Sequence, residues 1–155
     1  NPANESDGDA WLQYRISEAG MAERVDVPFD LAWEACGLVI RYSGNLMASD
    51  VLACHERIAA DPRFDDLRFA IVDARSVQAL TATSAEIELI EAFLQGPAMT
   101  NPAISAVFVA TEPSVLAALG TYNAISDRAY RITVCDSLTE ARAQLGARPA
   151  QPRSS

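Results

Sequence analysis

The sequence predicts an α/β fold: a mixed sheet of four to six strands that opens with an N-terminal antiparallel hairpin and continues α-β-α-β-α-β-α. Three observations carry this. Residues 69–72 (FAIV) and 104–110 (ISAVFVA) are short, uninterrupted apolar runs, the pattern of strands covered on both faces. The stretches between and after them place apolar side chains at helical spacing over 10–15 residues. Finally, Thr83-Ser84-Ala85-Glu86 and Ser137-Leu138-Thr139-Glu140 are capping-box signatures that mark helix starts. Strands alternating with helices of this length form βαβ units with right-handed crossovers, so the later strands are expected to run parallel.

The elements follow in order. Residues 1–10 (NPANESDGDA) are polar and acidic and are expected to be disordered or vector-derived; Met21 offers an internal start, which would make residues 1–20 vector-derived or upstream sequence. A single domain is expected over residues 11–146, with a flexible tail at 147–155. Leu12, Tyr14 and Ile16 alternate with polar residues, as do Val25, Val27 and Phe29, which predicts half-buried strands. Pro28 lacks a ladder donor and puts the second of these at an edge or a strand end. Residues 33–43 (WEACGLVIRYS) predict the next strand, with Gly37 a bulge or turn and Gly44-Asn45 closing it. A helix is expected over 49–60, capped by Ser49, with Val51, His55, Ile58 and Ala59 on one face, and Asp61-Pro62 ending it.

The central unit is a strand at 68–73, a polar corner at Asp73-Ala74-Arg75-Ser76, and a helix over 84–95 stopped by Gly96-Pro97. A strand at 104–110 follows. Pro113 opens a helix whose inner stripe is Val115, Leu116, Leu119 and Tyr122. The last pair is a strand at 130–135 and a helix with Leu138, Ala141 and Leu145 on one face, ended by Gly146.

Composition narrows the function. Half the residues are hydrophobic and 21% charged, which is ordinary for a globular protein. The net charge of −9 repels phosphate backbones and anionic lipid heads, so nucleic acid is not an expected partner. No apolar stretch approaches the ~20 residues of a membrane span. Cys36, Cys54 and Cys135 are odd in number, far apart and set among apolar residues. That pattern fits reduced thiols in a cytoplasmic protein better than disulfides or a zinc site.

Catalytic and metal-binding patterns are weak. Cys54-His55-Glu56 contains ligand types, but consecutive helical residues point about 100° apart and cannot converge on one ion. His55 is the only histidine, so no His/His pair can form. Asp73 and Arg75 end the predicted central strand, at the sheet edge where open α/β folds place ligands. Asp136 ends a later strand and either faces the same side or caps the final helix. Glu86, Glu88 and Glu91 read as a solvated helix face. Seven glycines, none close enough to form a phosphate loop, leave no nucleotide signature, and no cofactor or metal is expected. Trp33, Tyr42, Phe108 and Tyr122 are core aromatics by default and cavity-lining residues otherwise.

The segments LVIRYSG (38–44), ADPRF (60–64), FAIVDARSVQAL (69–80) and TVCDSLTEARAQL (133–145) resemble the SpoIIAA-like family, the bacterial STAS-type domains linked by fold to CRAL-TRIO lipid-binding proteins. The resemblance covers most of residues 35–146 and rests on apolar and turn patterns. In anti-sigma-factor antagonists of that group, a serine in an Ile-Asp-Ser-Ser-Gly loop is phosphorylated to switch partner binding. The matching segment here is Leu80-Thr81-Ala82-Thr83-Ser84, in which Thr81 replaces the Asp, Ala82 and Thr83 the serines, and Ser84 the Gly.

The resemblance implies a non-enzymatic regulatory or protein-interaction module, docking an unknown protein partner around residues 74–95. The candidate partner-binding or phosphoswitch set is Asp73, Arg75, Thr81, Thr83 and Ser84. A phosphate on Thr83 or Ser84 would meet the positive end of the following helix, whereas the plainer role for Thr83 is the helix cap. The alternative function is carriage or sensing of a small apolar or lipid-like ligand. A homodimer is expected because the early strands leave an unprotected edge.

Overall fold

The computed structural model describes residues 14–16, 22–24 and 27–147. The expectations for residues 1–10 and for the tail beyond 147 fall outside them, as do Leu12 and Val25. Two short strands, β1 (Tyr14–Ile16) and β2 (Ala22–Arg24), pair antiparallel as a two-stranded sheet of their own. The main sheet has five strands in the order β3-β4-β5-β6-β7. These are β3 (Phe29–Glu34), β4 (Gly37–Met47), β5 (Phe69–Thr81), β6 (Ser105–Val109) and β7 (Ile132–Cys135). β3 and β4 are antiparallel and every later pair is parallel, so the mixed sheet and its hairpin are as the sequence predicts.

Four helices follow: α1 (Ala48–Ala60), α2 (Ser84–Thr100), α3 (Pro113–Ile125) and α4 (Leu138–Ala147). α1, α2 and α3 each join a parallel strand to its immediate neighbour. Right-handed crossovers that always step the same way put all three helices on one face. The burial pattern agrees. Leu38, Ile40, Tyr42, Val72 and Ala74 pack in one core with Cys54 and Ile58 of α1 and Val115 and Leu119 of α3. The opposite face, Val39, Ile71, Val107, Val109 and Cys135, packs against Ala141, Leu138 and Leu145 of α4. Ile71 and Val107 at the centre are fully buried.

Several predicted boundaries move, each for a physical reason. The strand expected over 33–43 is two strands, because the chain turns back at Ala35-Cys36, with Cys36 in a left-handed conformation at φ 58°. Cys36 is therefore exposed rather than set in the core. Gly37 is no bulge. It opens β4 where the Phe69 ring lies over it, and an added Cβ would fall 2.0 Å from that ring. Gly44 does not close β4, which runs on to Met47; its φ of 71° accommodates a register shift between Gly44 and Asn45. Ser49 is not the cap of α1. Met47 holds that position, and the Asp50 carboxylate accepts its N–H at 2.9 Å.

The central strand does not end at Asp73. Residues 74–81 continue β5 alongside β4, although β6 pairs only as far as Asp73. Between the partners Arg41↔Asp73 and Gly44↔Val77, and again before Asn45↔Ala79, β5 carries one extra residue. Each bulge flips the alternation, so Val77 turns inward between two polar stretches. Nor does Gly96-Pro97 stop α2, which continues to Thr100 with Pro97 inside it. A proline disfavours helix at the preceding residue by clashing with its Cβ, and Gly96 has none. Within α3, Val115, Leu119 and Tyr122 are buried as expected, but Leu116 is 39% exposed.

Candidate functional site: a cavity beneath three helices

The five residues singled out in the sequence do not form one site. Asp73 and Arg75 lie mid-strand, and Thr81, Thr83 and Ser84 follow at the far end of β5 and the start of α2. Asp73 and Thr81 pair with Arg41 and Met47, six residues apart on the neighbouring strand, so at about 3.3 Å per residue they lie roughly 20 Å from each other. Asp73 is buried and forked by Arg75, whose Nε and Nη2 donate to its two carboxylate oxygens at 2.9 Å each. Arg41 stands 4.0 Å away on the neighbouring strand. The hydrogen bonds from Arg75 outweigh burial and hold the Asp73 carboxyl below its usual range, so it is a paired structural anion. Asp136 is exposed, and Ser137 rather than Asp136 caps α4, its hydroxyl accepting the Glu140 N–H at 3.0 Å.

At the other end, Thr83 caps α2 with both halves of the capping box in place. Its hydroxyl accepts the Glu86 N–H at 3.1 Å, and the Glu86 carboxylate accepts the Thr83 N–H at 2.8 Å. Thr81 and Ser84 are exposed. The end of β5 is pinned by Ser114 of α3, whose hydroxyl accepts the Leu80 N–H at 2.9 Å. The acidic face read along α2 is not uniformly solvated: Glu88 is exposed, but Glu91 is buried, held by Gln95 at 2.9 Å through one oxygen only.

A cavity of about 130 Å³ lies where α1, α2 and α3 cover the sheet. Its floor is the side of β4, β5 and β6 that carries Ile40, Val72 and Phe108, and its roof includes Val51, Ile87 and Leu119. Ala59, Ala70, Ala74, Ala82, Ala106 and Ala118 also line it, and these small side chains leave the space unfilled. The α1 face read from the sequence, Val51, His55, Ile58 and Ala59, forms part of the wall. Of the four aromatics considered, Tyr42, Phe108 and Tyr122 reach the cavity. Trp33 instead lies under the Arg63 guanidinium at 4.3 Å.

The few polar groups on this wall are uncharged. His55 is half-buried as a residue but its ring is enclosed, and burial lowers its pKa to about 4. Its ring makes no hydrogen bond with any described residue. Burial likewise pushes the neighbouring Cys54 thiol up to about 11. Three tyrosines line the space. Tyr122 Oη donates to the Tyr130 carbonyl at 2.7 Å, and Tyr130 Oη to the Asn101 carbonyl at 2.7 Å. Tyr42 Oη is buried with no hydrogen-bond partner; the nearby Cys54 thiol, a weak partner, does not meet it in hydrogen-bonding geometry. Sequence reasoning placed Tyr42 in the core but could not see that its hydroxyl is unmatched, because that depends on what the helix above offers it.

Among the described residues, no group of three or more His, Cys, Asp or Glu side chains could hold a metal ion, and no helix is long and apolar enough to cross a membrane. No protein-family model matches the sequence, and no characterised protein matches it in sequence. Solved structures do match. The anti-sigma factor antagonist SpoIIAA in its unphosphorylated form aligns with a TM-score of 0.52 at 14% identity, over 77% of this chain and 98% of that one. An uncharacterised DUF3478-family protein with a SpoIIAA-like fold, from Shewanella loihica PV-4, aligns with a TM-score of 0.49 at 13% identity, over 81% and 99%. The class of molecule is therefore the SpoIIAA-like α/β fold, as the resemblance in the sequence implies.

Proposed function

We propose that this chain is a non-enzymatic binding module of regulatory type, and that it takes a small apolar molecule into the cavity beneath α1, α2 and α3. The observation that carries this reading is the cavity itself. Apolar voids stay dry, and one of about 150 Å³ suffices to bind benzene. A single ring or a short chain is the matching size. The state of the reactive groups supports a binding role over a catalytic one. A thiol raised to about 11 and an imidazole lowered to about 4 are both neutral at pH 7, and neither is poised as nucleophile or base. Extraction of the protein from its native host, followed by mass spectrometry, tests the reading. A stoichiometric small apolar molecule is expected; repeated extracts with none above background would count against it.

The resemblance to anti-sigma-factor antagonists favours a second reading, docking of a protein partner around residues 74–95. Its specific support is the surface at the start of α2, where Leu89 is 61% exposed and Thr81, Thr83 and Ser84 are exposed nearby in sequence. The cavity is placed first because the Thr83 hydroxyl and the Glu86 carboxylate are already engaged in capping one another's backbone. Once a partner is in hand, Leu89→Asp should abolish its binding without lowering the melting temperature. Unchanged binding would remove this reading.

A further inference from the structure

We infer that a second pocket, on the far side of the sheet from the apolar cavity, binds a small zwitterion of the amino-acid type, its ammonium group held by Asp30 and its carboxylate by Arg41. The place follows from strand alternation. Ile40 and Val72 face the cavity, so Arg41 and Asp73, next along β4 and β5, face the other way. α4 covers that far face at Val39 and Ile71. Two residues further on, the Arg41 side chain is 61% exposed, and a pocket of about 290 Å³ opens whose lining includes Val27, Asp30, Arg41, Ser43, Asp73 and Ser76. The register gathers these polar groups on one surface. Asp30 is the cross-strand partner of Arg41, Arg41 of Asp73, and Ser43 of Ser76, and paired residues point to the same side. The bulge of β5 between Asp73 and Ser76 falls in this wall, and bulges re-aim side chains.

The charges decide the ligand. Opposite charges directly across two strands ordinarily attract one another. Here no ion pair joins Asp30 to Arg41, whose Nε instead stands 4.0 Å from Asp73, a carboxylate already forked by Arg75. The Asp30 carboxylate and the hydroxyls of Ser43 and Ser76 meet no partner among the described residues. The pocket thus offers one spare anion, one spare cation and two hydroxyls, around a space at the small end of ligand sites, which run from roughly 300 to 1,000 Å³. A ligand bearing both charges matches both walls. A simple anion would match Arg41 alone and approach against the net charge of −9, and a simple cation would leave the guanidinium unused. Val27, 39% exposed, gives the pocket an apolar margin that suits a short aliphatic side chain.

The test titrates L-valine, N-acetyl-L-valine and L-valinamide at pH 7 into the wild-type chain, Asp30→Asn and Arg41→Gln, followed by amide chemical shifts. Both replaced side chains are exposed, so the melting temperatures should stay near wild type. Valine should give saturable shifts at residues 27–30, 41–43 and 76. Each blocked compound should bind the wild type about tenfold more weakly, having lost one charge-assisted contact. Asp30→Asn should lower valine affinity about tenfold and leave N-acetylvaline unchanged, whereas Arg41→Gln should lower valine equally and leave valinamide unchanged. N-acetylvaline binding the wild type as tightly as valine, or substitutions that leave valine affinity unaltered, overturns the inference. So does the absence of saturable shifts at this pocket with valine and with glycine or leucine in its place. The apolar cavity shares none of these charged groups, so each such outcome leaves the cavity reading intact.

Discussion

At Asp73 a carboxylate is buried in the middle of a strand with the Arg75 fork on both oxygens and Arg41 beyond. Its pKa is lowered in the folded chain, so its contribution to stability is complete above the unfolded value of about 3.9 and is lost as pH falls through the lower folded value. Asp73→Asn should therefore lower the urea midpoint at pH 7, and the gap from wild type should close in strong acid. An equal gap at both ends would mean the charge is irrelevant. His55 has the opposite linkage. Its folded pKa of about 4 lies below the ordinary 6.5, so the unfolded chain binds the extra proton between those values. Wild-type stability should fall across that window as pH drops, and more steeply than in His55→Phe. Parallel pH profiles for the two proteins would show that the ring is not enclosed.

Among elements, β5 and α2 show what the sequence could and could not disclose. The apolar run 69–72 identifies the central strand, and Ile71 is fully buried between β4 and β6. Ile71→Ala should cost about 2–5 kcal/mol by lost transfer energy and the cavity left behind; a denaturant-measured loss below about 1 kcal/mol would place the centre of the sheet elsewhere. The second half of β5 was hidden because two bulges break the period of two, so that ARSVQAL imitates a loop while Val77 still turns into the core. Pro97 misled for a similar reason, since the stop it usually signals depends on a Cβ that Gly96 lacks. The start of α2 was legible because a capping box is local in sequence. Thr83→Ala should cost about 0.5–2 kcal/mol and Thr83→Ser almost nothing. A phosphoswitch instead requires that Thr83→Glu change partner affinity with little change in melting temperature, and that intact-mass analysis of the native protein show an added phosphate.

For the whole molecule, the alternation of helices with parallel strands was legible in the element order, whereas the layering, which depends on the strand order β3-β4-β5-β6-β7, and the cavity were not. Each alanine of its wall reads in the sequence as ordinary core, and only the assembled sheet and helices bring six of them around one space. The homodimer expected from the edge strands is a separate proposal. Light scattering at high micromolar concentration checks it, and monomer mass there would end it. The measurement that bears most directly on the cavity as binding site is a toluene titration followed by amide chemical shifts, in the wild-type chain and in Ala118→Leu, which extends a side chain into the space from α3. We expect saturable shifts in the wild type confined to residues around the cavity, such as Tyr42, His55 and Leu119. In Ala118→Leu they should be absent while the rest of the spectrum shows the fold intact. Shifts that fail to saturate, that cluster on the exposed face around Leu89, or that persist unchanged in Ala118→Leu would contradict it.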